Sequence, residues 1–545
     1  GIDFNLREVN RYWGPVSIQF MENALKGWAN GKSCAAQLSP ITEFEKVKAK
    51  IRQDKDYTKN LIKKYFIDNK VTVKFVAEPT AEYFAKRNEA EEKLIAKLEA
   101  NLDKVQLKKD LDELHAYQQH VETPEETACI PTTKLSSLDP KIDLPHTDLQ
   151  FVTGADGSKV PLFVSREDTN GLFYVDLLFP FDRLEPEYLQ HMPFLSNVIT
   201  NMGWNGKKWD QCISDSACLM GDIWGRLCTG AMSDCQESRK YNEQFKDYGF
   251  TGRQWLGISC KALTSMAEES LRMFSEIVTT MSFDDEKRFA SLVQELKAEK
   301  KAGLVGNGRD YCVKRARALT SPVQAMNEVF YGVSQLTTVS QYKKNRLAEI
   351  LKTFKYIYEE CRKAGAIIHI TADEDSLKKI LPMMEGFAKE SKITKLLPAR
   401  KYTVEDFKPF IAQEAAAEDS EKPQLIEVKS QTGYAAVVSK AADFMTKEAA
   451  AETIFASWFS MHTLWDKIRT TGGAYGAGSW NDNIEKTFIM ATYRDPTPEK
   501  SVEVYLESLK ELSESEIPAE DIEKTIVSCY GDAIVPVCPK DRGAR

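Results

Sequence analysis

Apolar positions along this chain change their rhythm several times, and each change marks an element. Residues 1 to 70 carry Phe44, Val47, Ile51 and Tyr57 among charges at helical spacing. Val71-Thr72-Val73-Lys74-Phe75-Val76 then runs β-branched and apolar up to Pro79, which predicts a strand. The segment 80 to 121 has neither Gly nor Pro and sets Leu94, Leu98, Leu102, Val105, Leu111 and Leu114 roughly at helical spacing. Asn101 and a register slip near Val105 allow a turn, giving a helical hairpin, with one long helix as the alternative. Glu122 to Pro145, with prolines 124, 131, 140 and 145, reads as a domain boundary.

From 147 to about 395 the pattern is strand-rich, then helical, then strand and helix again. Leu172 to Phe179 is a strong strand, and Met266, Leu271, Phe274, Ile277 and Met281 mark one helix face, followed by a helix from Asp284 to about Ala302. Ala366 to Ile370 predicts a short buried strand, and Glu374 to Lys389 a helix that Pro382 can bend. Lys392 to Pro423 is polar and alanine-rich, a second junction. After it come a strand (Gly433 to Val438), a long helix (Lys447 to about Thr470), a strand (Thr487 to Tyr493), and helices near 499–512 and 519–530. The repeated order suggests duplicated domains, each a sheet with helices packed on it.

Composition narrows the classes. The chain has 545 residues, 42% hydrophobic and 28% charged, with net charge −8. At roughly 150 residues per domain that is three to four domains, and disordered, collagen-like and disulfide-mini-protein classes are excluded. No apolar run approaches the roughly 18 residues of a membrane helix. A pI near 5.6 argues against a nucleic-acid partner or a basic membrane-surface role. The eleven cysteines lack zinc-type paired spacing and read as free, mostly buried thiols of a reducing intracellular compartment, the cytoplasm first and an organelle matrix second. The chain opens Gly1-Ile2-Asp3-Phe4 without a signal segment, and Pro539 to Gly543 reads as a loop; both ends suggest a piece of something longer.

Candidate chemistry is sparse. The six histidines form no ligand set: His115 and His120 are five apart, His146, His191 and His369 stand alone, and His462 has only Asp466 nearby. No Gly-x-Ser-x-Gly elbow presents a serine, and Gly472 to Gly478 fits no nucleotide-binding motif. The sharpest feature is the corner after the long helix. Ile454, Trp458, Met461, Trp465 and Ile468 form its expected buried stripe, with Arg469 just off it at the C-terminus, where a cation is favourable. Gly472-Gly473 can end the helix through positive φ, and Tyr475 follows. A cation and a phenol six residues apart are thus expected at one rigid corner, though an ordinary helix-end Arg and a turn Tyr fit the residues equally.

Leu464-Trp465-Asp466-Lys467-Ile468-Arg469-Thr470-Thr471-Gly472-Gly473-Ala474-Tyr475-Gly476 resembles the signature of the falcilysin and presequence-protease branch of the pitrilysin-type zinc metallopeptidases, which are inverzincins. Tyr493-Arg494-Asp495-Pro496, Gly531-Asp532 with Pro539-Lys540, and Gly306-x-Gly308-Arg309-Asp310-Tyr311 with Arg315-Ala316-Arg317 are similar to it as well. The resemblance implies an α+β chain: two consecutive homologous α/β sandwich domains, antiparallel-rich sheets with helices packed on them, preceded by a helical hairpin linker. The implied parts are a remnant of the second peptidase domain (1–79), the hairpin between halves (80–145), the third domain (146–395) and a truncated fourth domain (396–545). No His-x-x-Glu-His occurs here; the resemblance puts the catalytic zinc in an N-terminal half and none in this chain. It further implies that Arg469 and Tyr475, supported by Gly472, Gly473 and Gly476, bind unstructured peptide substrates and their transition state. The function implied is the non-catalytic C-terminal half of a zinc metalloendopeptidase, partnered by its N-terminal catalytic half; the alternative is a stand-alone scaffold or binding protein of the same fold.

Overall fold

The computed structural model describes residues 2–544 apart from 12, 13, 39, 79, 119, 121, 142 and 412–423. Pro79, Pro423 and the alanine-rich part of the second junction therefore lie outside the described residues. The chain forms two compact units, Lys32–Ser137 and the remainder.

The smaller unit is helical. Tyr83–Ala100 and Lys104–Gln118 are separate helices, and Asn101 caps the first one, its amide N–H bonding Leu98 O, so the hairpin replaces the single long helix. The expected strand at 71–76 does not form. Phe75 is 88% exposed, and no described residue supplies a ladder; a β-branched run is a strand only where backbone groups find a partner.

The larger unit holds a six-stranded mixed sheet, in the order β1-β2-β6-β3-β5-β4. The strands are β1 (Thr147–Thr153), β2 (Lys159–Arg166), β3 (Leu172–Pro180), β4 (Met220–Cys228), β5 (Trp255–Leu263) and β6 (Ile367–Ala372). The β2–β6 pair is parallel and the others are antiparallel. β3 and β6 are the buried centre, as their apolar runs require. Successive side chains alternate faces: Phe173, Val175, Leu177 and Phe179 join the main core with Phe194, Phe274, Ile277, Phe354 and Ile357 of the covering helices. The other face carries Leu172 and Tyr174 under Phe4, then a row of polar side chains described below. Pro382 interrupts the predicted 374–389 helix as expected, leaving Glu374–Ile380 and Met384–Glu390 with a tight turn between them.

A second, three-stranded antiparallel sheet follows, in the order β7-β9-β8: β7 (Ala436–Lys440), β8 (Gly476–Asp482) and β9 (Thr487–Tyr493). β7 starts three residues later than predicted, because Gly433 leaves the ladder to bridge Asp495. Trp458, Phe459, Leu464, Ile468, Phe488, Met490 and Tyr505 build its core, with Pro498–Ser513 and Ala519–Ala533 at the predicted helical positions.

Two further expectations are corrected. The 447–470 helix is α-helical only to Phe459 and then widens into a π-helix, Ser460–Thr471. Extra residues per turn rotate later side chains off a 3.6-residue stripe, so Met461 and Trp465 are exposed while Thr463, Leu464 and Ile468 are buried. Residues Pro539–Ala544, read as a loop, form a helix, because Gly543 offers no side chain and lies directly against Thr371 of β6. The cysteines are all free, but only Cys212, Cys260, Cys361 and Cys538 are buried.

Candidate functional site

The π-helix ends at the glycine pair. Gly473 takes φ +79°, its N–H bonds Arg469 O at 3.0 Å, and Ala474 N–H reaches back to Ile468 O at 3.1 Å. That six-to-one closure needs a left-handed residue, which glycine supplies without strain. Gly472 stays right-handed, and a Cβ there would crowd Ile468 O at 2.6 Å. The chain then enters β8 at Gly476, opposite Tyr493, while Tyr475 N–H bonds Arg494 O at 3.2 Å.

This closure brings Arg469 and Tyr475 together. The Arg469 guanidinium carbon stacks 4.0 Å from the Trp465 ring centroid and 5.2 Å from that of Tyr475. Tyr475, 62% exposed, meets Tyr493 edge-on at 5.9 Å. A guanidinium on two aromatic faces keeps its N–H donors at the ring edges, open to a carbonyl or carboxylate. Trp465 is the member that the sequence misassigned; a helical stripe counted at 3.6 residues per turn placed it in the core, and the π-widening turns it outward. Ser460 Oγ accepts Ser479 N–H at 2.8 Å, so the helix also covers a backbone donor of β8.

A second constellation has no counterpart in sequence-local motifs. Ser165 of β2, His369 of β6 and Asp176 of β3 lie side by side on the polar face of the large sheet. Ser165 Oγ is 3.1 Å from His369 Nε2, and His369 Nδ1 is 2.9 Å from Asp176 Oδ2. Arg226 pairs with Asp176 Oδ1 at 3.0 Å and Ser259 donates to the same oxygen. Burial alone would raise the Asp176 carboxyl, but His369, Arg226 and Ser259 outweigh it and hold it below the usual carboxylate range. The residue types are those of a hydrolase relay. Ser165, however, is 1% exposed, sits mid-strand with ladder partners on β1 and β6, and its hydroxyl donates to Gly543 O at 2.9 Å. The relay ties three strands to the Pro539–Ala544 helix. The readable signal was a charged residue inside the apolar run 172–179 and a histidine alternating with Ile368 and Ile370.

The remaining histidines are accounted for individually. His191 Nδ1 contacts Tyr342 Oη at 2.8 Å, and burial, with Arg346 nearby, pushes it down to about 4. His120 meets Glu126 and His146 meets Asp148, and His462 stacks on Trp458. Among the described residues no group of three or more His, Cys, Asp or Glu side chains could hold a metal ion, so the zinc that the resemblance implies has no ligand set among them. No helix among the described residues is long and apolar enough to cross a membrane.

Comparison with known proteins agrees with this arrangement of sheets and motifs. The family model for the associated region of peptidase M16, subfamily C, matches residues 78–341, and "PreP C-terminal domain" matches 434–544. The chain belongs to the presequence-protease group, subfamily C of the M16 peptidases, as a C-terminal-half-like region. Among individual relatives, presequence protease 1, chloroplastic/mitochondrial, of Arabidopsis thaliana is 22% identical over 555 residues, covering 99% of this chain and 48% of the relative. The mitochondrial presequence protease of Xenopus laevis is 21% identical over 522 residues, covering 90% and 48%. The chain spans about half the length of these curated relatives. A solved peptidase M16 inactive domain from Pseudomonas fluorescens aligns over 73% of this chain and 86% of its own, at 14% identity and TM-score 0.45.

Proposed function

We propose that this chain is the non-catalytic C-terminal half of a zinc metalloendopeptidase that degrades unstructured peptides in a closed chamber. The N-terminal catalytic half of the same polypeptide is its partner and carries the zinc. In this reading 1–79 completes the second peptidase domain, 80–145 links the halves, and 146–395 and 396–545 are the third and fourth domains, duplicates in origin. A reducing intracellular compartment is part of the same proposal.

The observation that carries it is the Arg469–Tyr475 corner: a stacked guanidinium and an exposed phenol, held by a helix closure that fixes both. Tyr475 donates its phenolic hydrogen to a substrate carbonyl, a bond that strengthens as charge develops on that oxygen. Arg469 holds substrate backbone or carboxylate through charge-assisted hydrogen bonds.

The test is complementation. The chain alone cleaves no peptide; adding the N-terminal half in trans restores cleavage. Tyr475→Phe then lowers kcat by about 10²–10³-fold, the usual loss for one oxyanion donor. Unchanged kcat in Tyr475→Phe overturns the assigned role, and a failure of the halves to complement favours the scaffold reading.

A further inference from the structure

Three guanidiniums gather on the exposed aromatic surface beside β8, and only one belongs to the Arg469–Tyr475 pair. The other two flank Tyr493. Arg309, at the start of the Gly308–Arg317 helix, places its guanidinium carbon 5.8 Å from the Tyr493 ring centroid, and Arg494 lies at 5.4 Å. Tyr434 packs on the same ring at 5.8 Å. Gly308 makes this approach possible: a Cβ there would run into the Tyr434 ring.

Arg494 sits at φ +49°, the left-handed region that favours glycine or asparagine. Its carbonyl is the acceptor of Tyr475 N–H, so one unusual backbone turn sets both the Arg494 side chain and Tyr475. The carboxylates around the cluster do not neutralise it. Asp310 is 3.8 Å from Arg309, with both side chains about half exposed. Asp495 is turned inward, fully buried, and accepts Thr497 N–H; Asp466 is exposed and makes no ion pair among the described residues. Neither Arg469 nor Arg494 makes an ion pair among those residues. Like charges so placed repel unless an anion joins them, and paired guanidinium forks match a carboxylate.

We infer that Arg309 and Arg494, on either flank of Tyr493, receive a carboxylate of the peptide held at Arg469 and Tyr475. The 5.9 Å between the Tyr475 and Tyr493 rings corresponds to about two residues of extended chain. The carboxylate is therefore near the carbonyl bound by Tyr475, as either the peptide's C-terminal carboxylate or an Asp or Glu side chain. This rests on the peptide-binding reading of Arg469 and Tyr475.

The test is fluorescence anisotropy on the full chain with one unstructured peptide in three forms: free C-terminal acid, C-terminal amide, and amide with a glutamate near its end. The expected result is about tenfold tighter binding of at least one carboxylate form than of the neutral amide. That preference disappears in the Arg309→Ala/Arg494→Ala double variant, while its affinity for the neutral amide is unchanged. Which acidic form is preferred identifies the source. Equal binding of all three forms, or a preference that survives the double substitution, overturns the inference. Arg469→Ala separates the two claims: it weakens all three forms alike if the corner binds peptide backbone, and unchanged binding there overturns the underlying reading. Circular dichroism of each variant controls for folding, and Arg309→Lys/Arg494→Lys, which keeps charge but removes the forks, retains only part of the preference.

Discussion

The two sheets of the larger unit handle charge in opposite ways. On the six-stranded sheet every member of the polar row is bonded inward: Asp176 takes Arg226, Ser259 and His369, and at the sheet's end Arg253 forks onto Asp182 at 2.8 and 2.5 Å with both side chains buried. On the three-stranded sheet Arg469, Arg494 and Arg309 lie on aromatic faces instead. A buried charge must be paired to be tolerated, whereas a guanidinium stacked on an exposed ring keeps its donors for something outside. The large sheet uses its polar groups to close itself, and the small sheet presents them.

The largest test of that contrast concerns the cores beneath. Phe354 is fully buried among Phe194, Phe289 and Tyr342. Phe354→Ala lowers stability by about 3–5 kcal/mol in urea denaturation; a loss under about 1 kcal/mol would break the claim that this aromatic cluster anchors the large sheet. A smaller effect is expected where the small sheet meets its helix. Ser460→Ala leaves Ser479 N–H without its acceptor, costing about 1–3 kcal/mol and speeding hydrogen exchange at Ser479; unchanged exchange would show that Ser460 does not cover β8.

The smallest and most specific test is acid. The Asp176 carboxyl is held below its ordinary value, so its contribution is full above the unfolded value of about 3.9 and fades as pH falls through the folded one. One such group changes stability by at most about 1.4 kcal/mol per pH unit. Asp176→Asn flattens that part of the acid limb in pH-dependent denaturation, and an unaltered limb would separate Asp176 from the closure of the large sheet.

Central elements were legible in the sequence because their patterns are unmixed. Leu172 to Phe179 and Thr487 to Tyr493 read as strands, and the hairpin read as helical, from apolar spacing alone. β4 was hidden because Gly225 sits where a Cβ would strike Ser196 O; the glycine that admits the Met192–Val198 helix also breaks the strand's pattern. At the corner, the closeness of Arg469 and Tyr475 followed from the glycines between them. The outward face of Trp465 did not, since nothing in the residue types announces a π-helix. The Ser165–His369–Asp176 row was illegible because its members are brought together by strand order, across more than 190 residues of chain.

That row can also be counted in hydrogens. Ser165 has one, and Gly543 O can only accept it; Thr147 supplies its own hydroxyl hydrogen to Ser165 at 2.8 Å. Asp176, as a carboxylate, only accepts. For all of these bonds to exist together, His369 must donate from both ring nitrogens, so the fully bonded row holds one proton more than a neutral imidazole would bring. Take that proton away and Ser165 must choose between His369 and Gly543, which makes the seating of the Pro539–Ala544 helix and the occupancy of one ring nitrogen a single equilibrium.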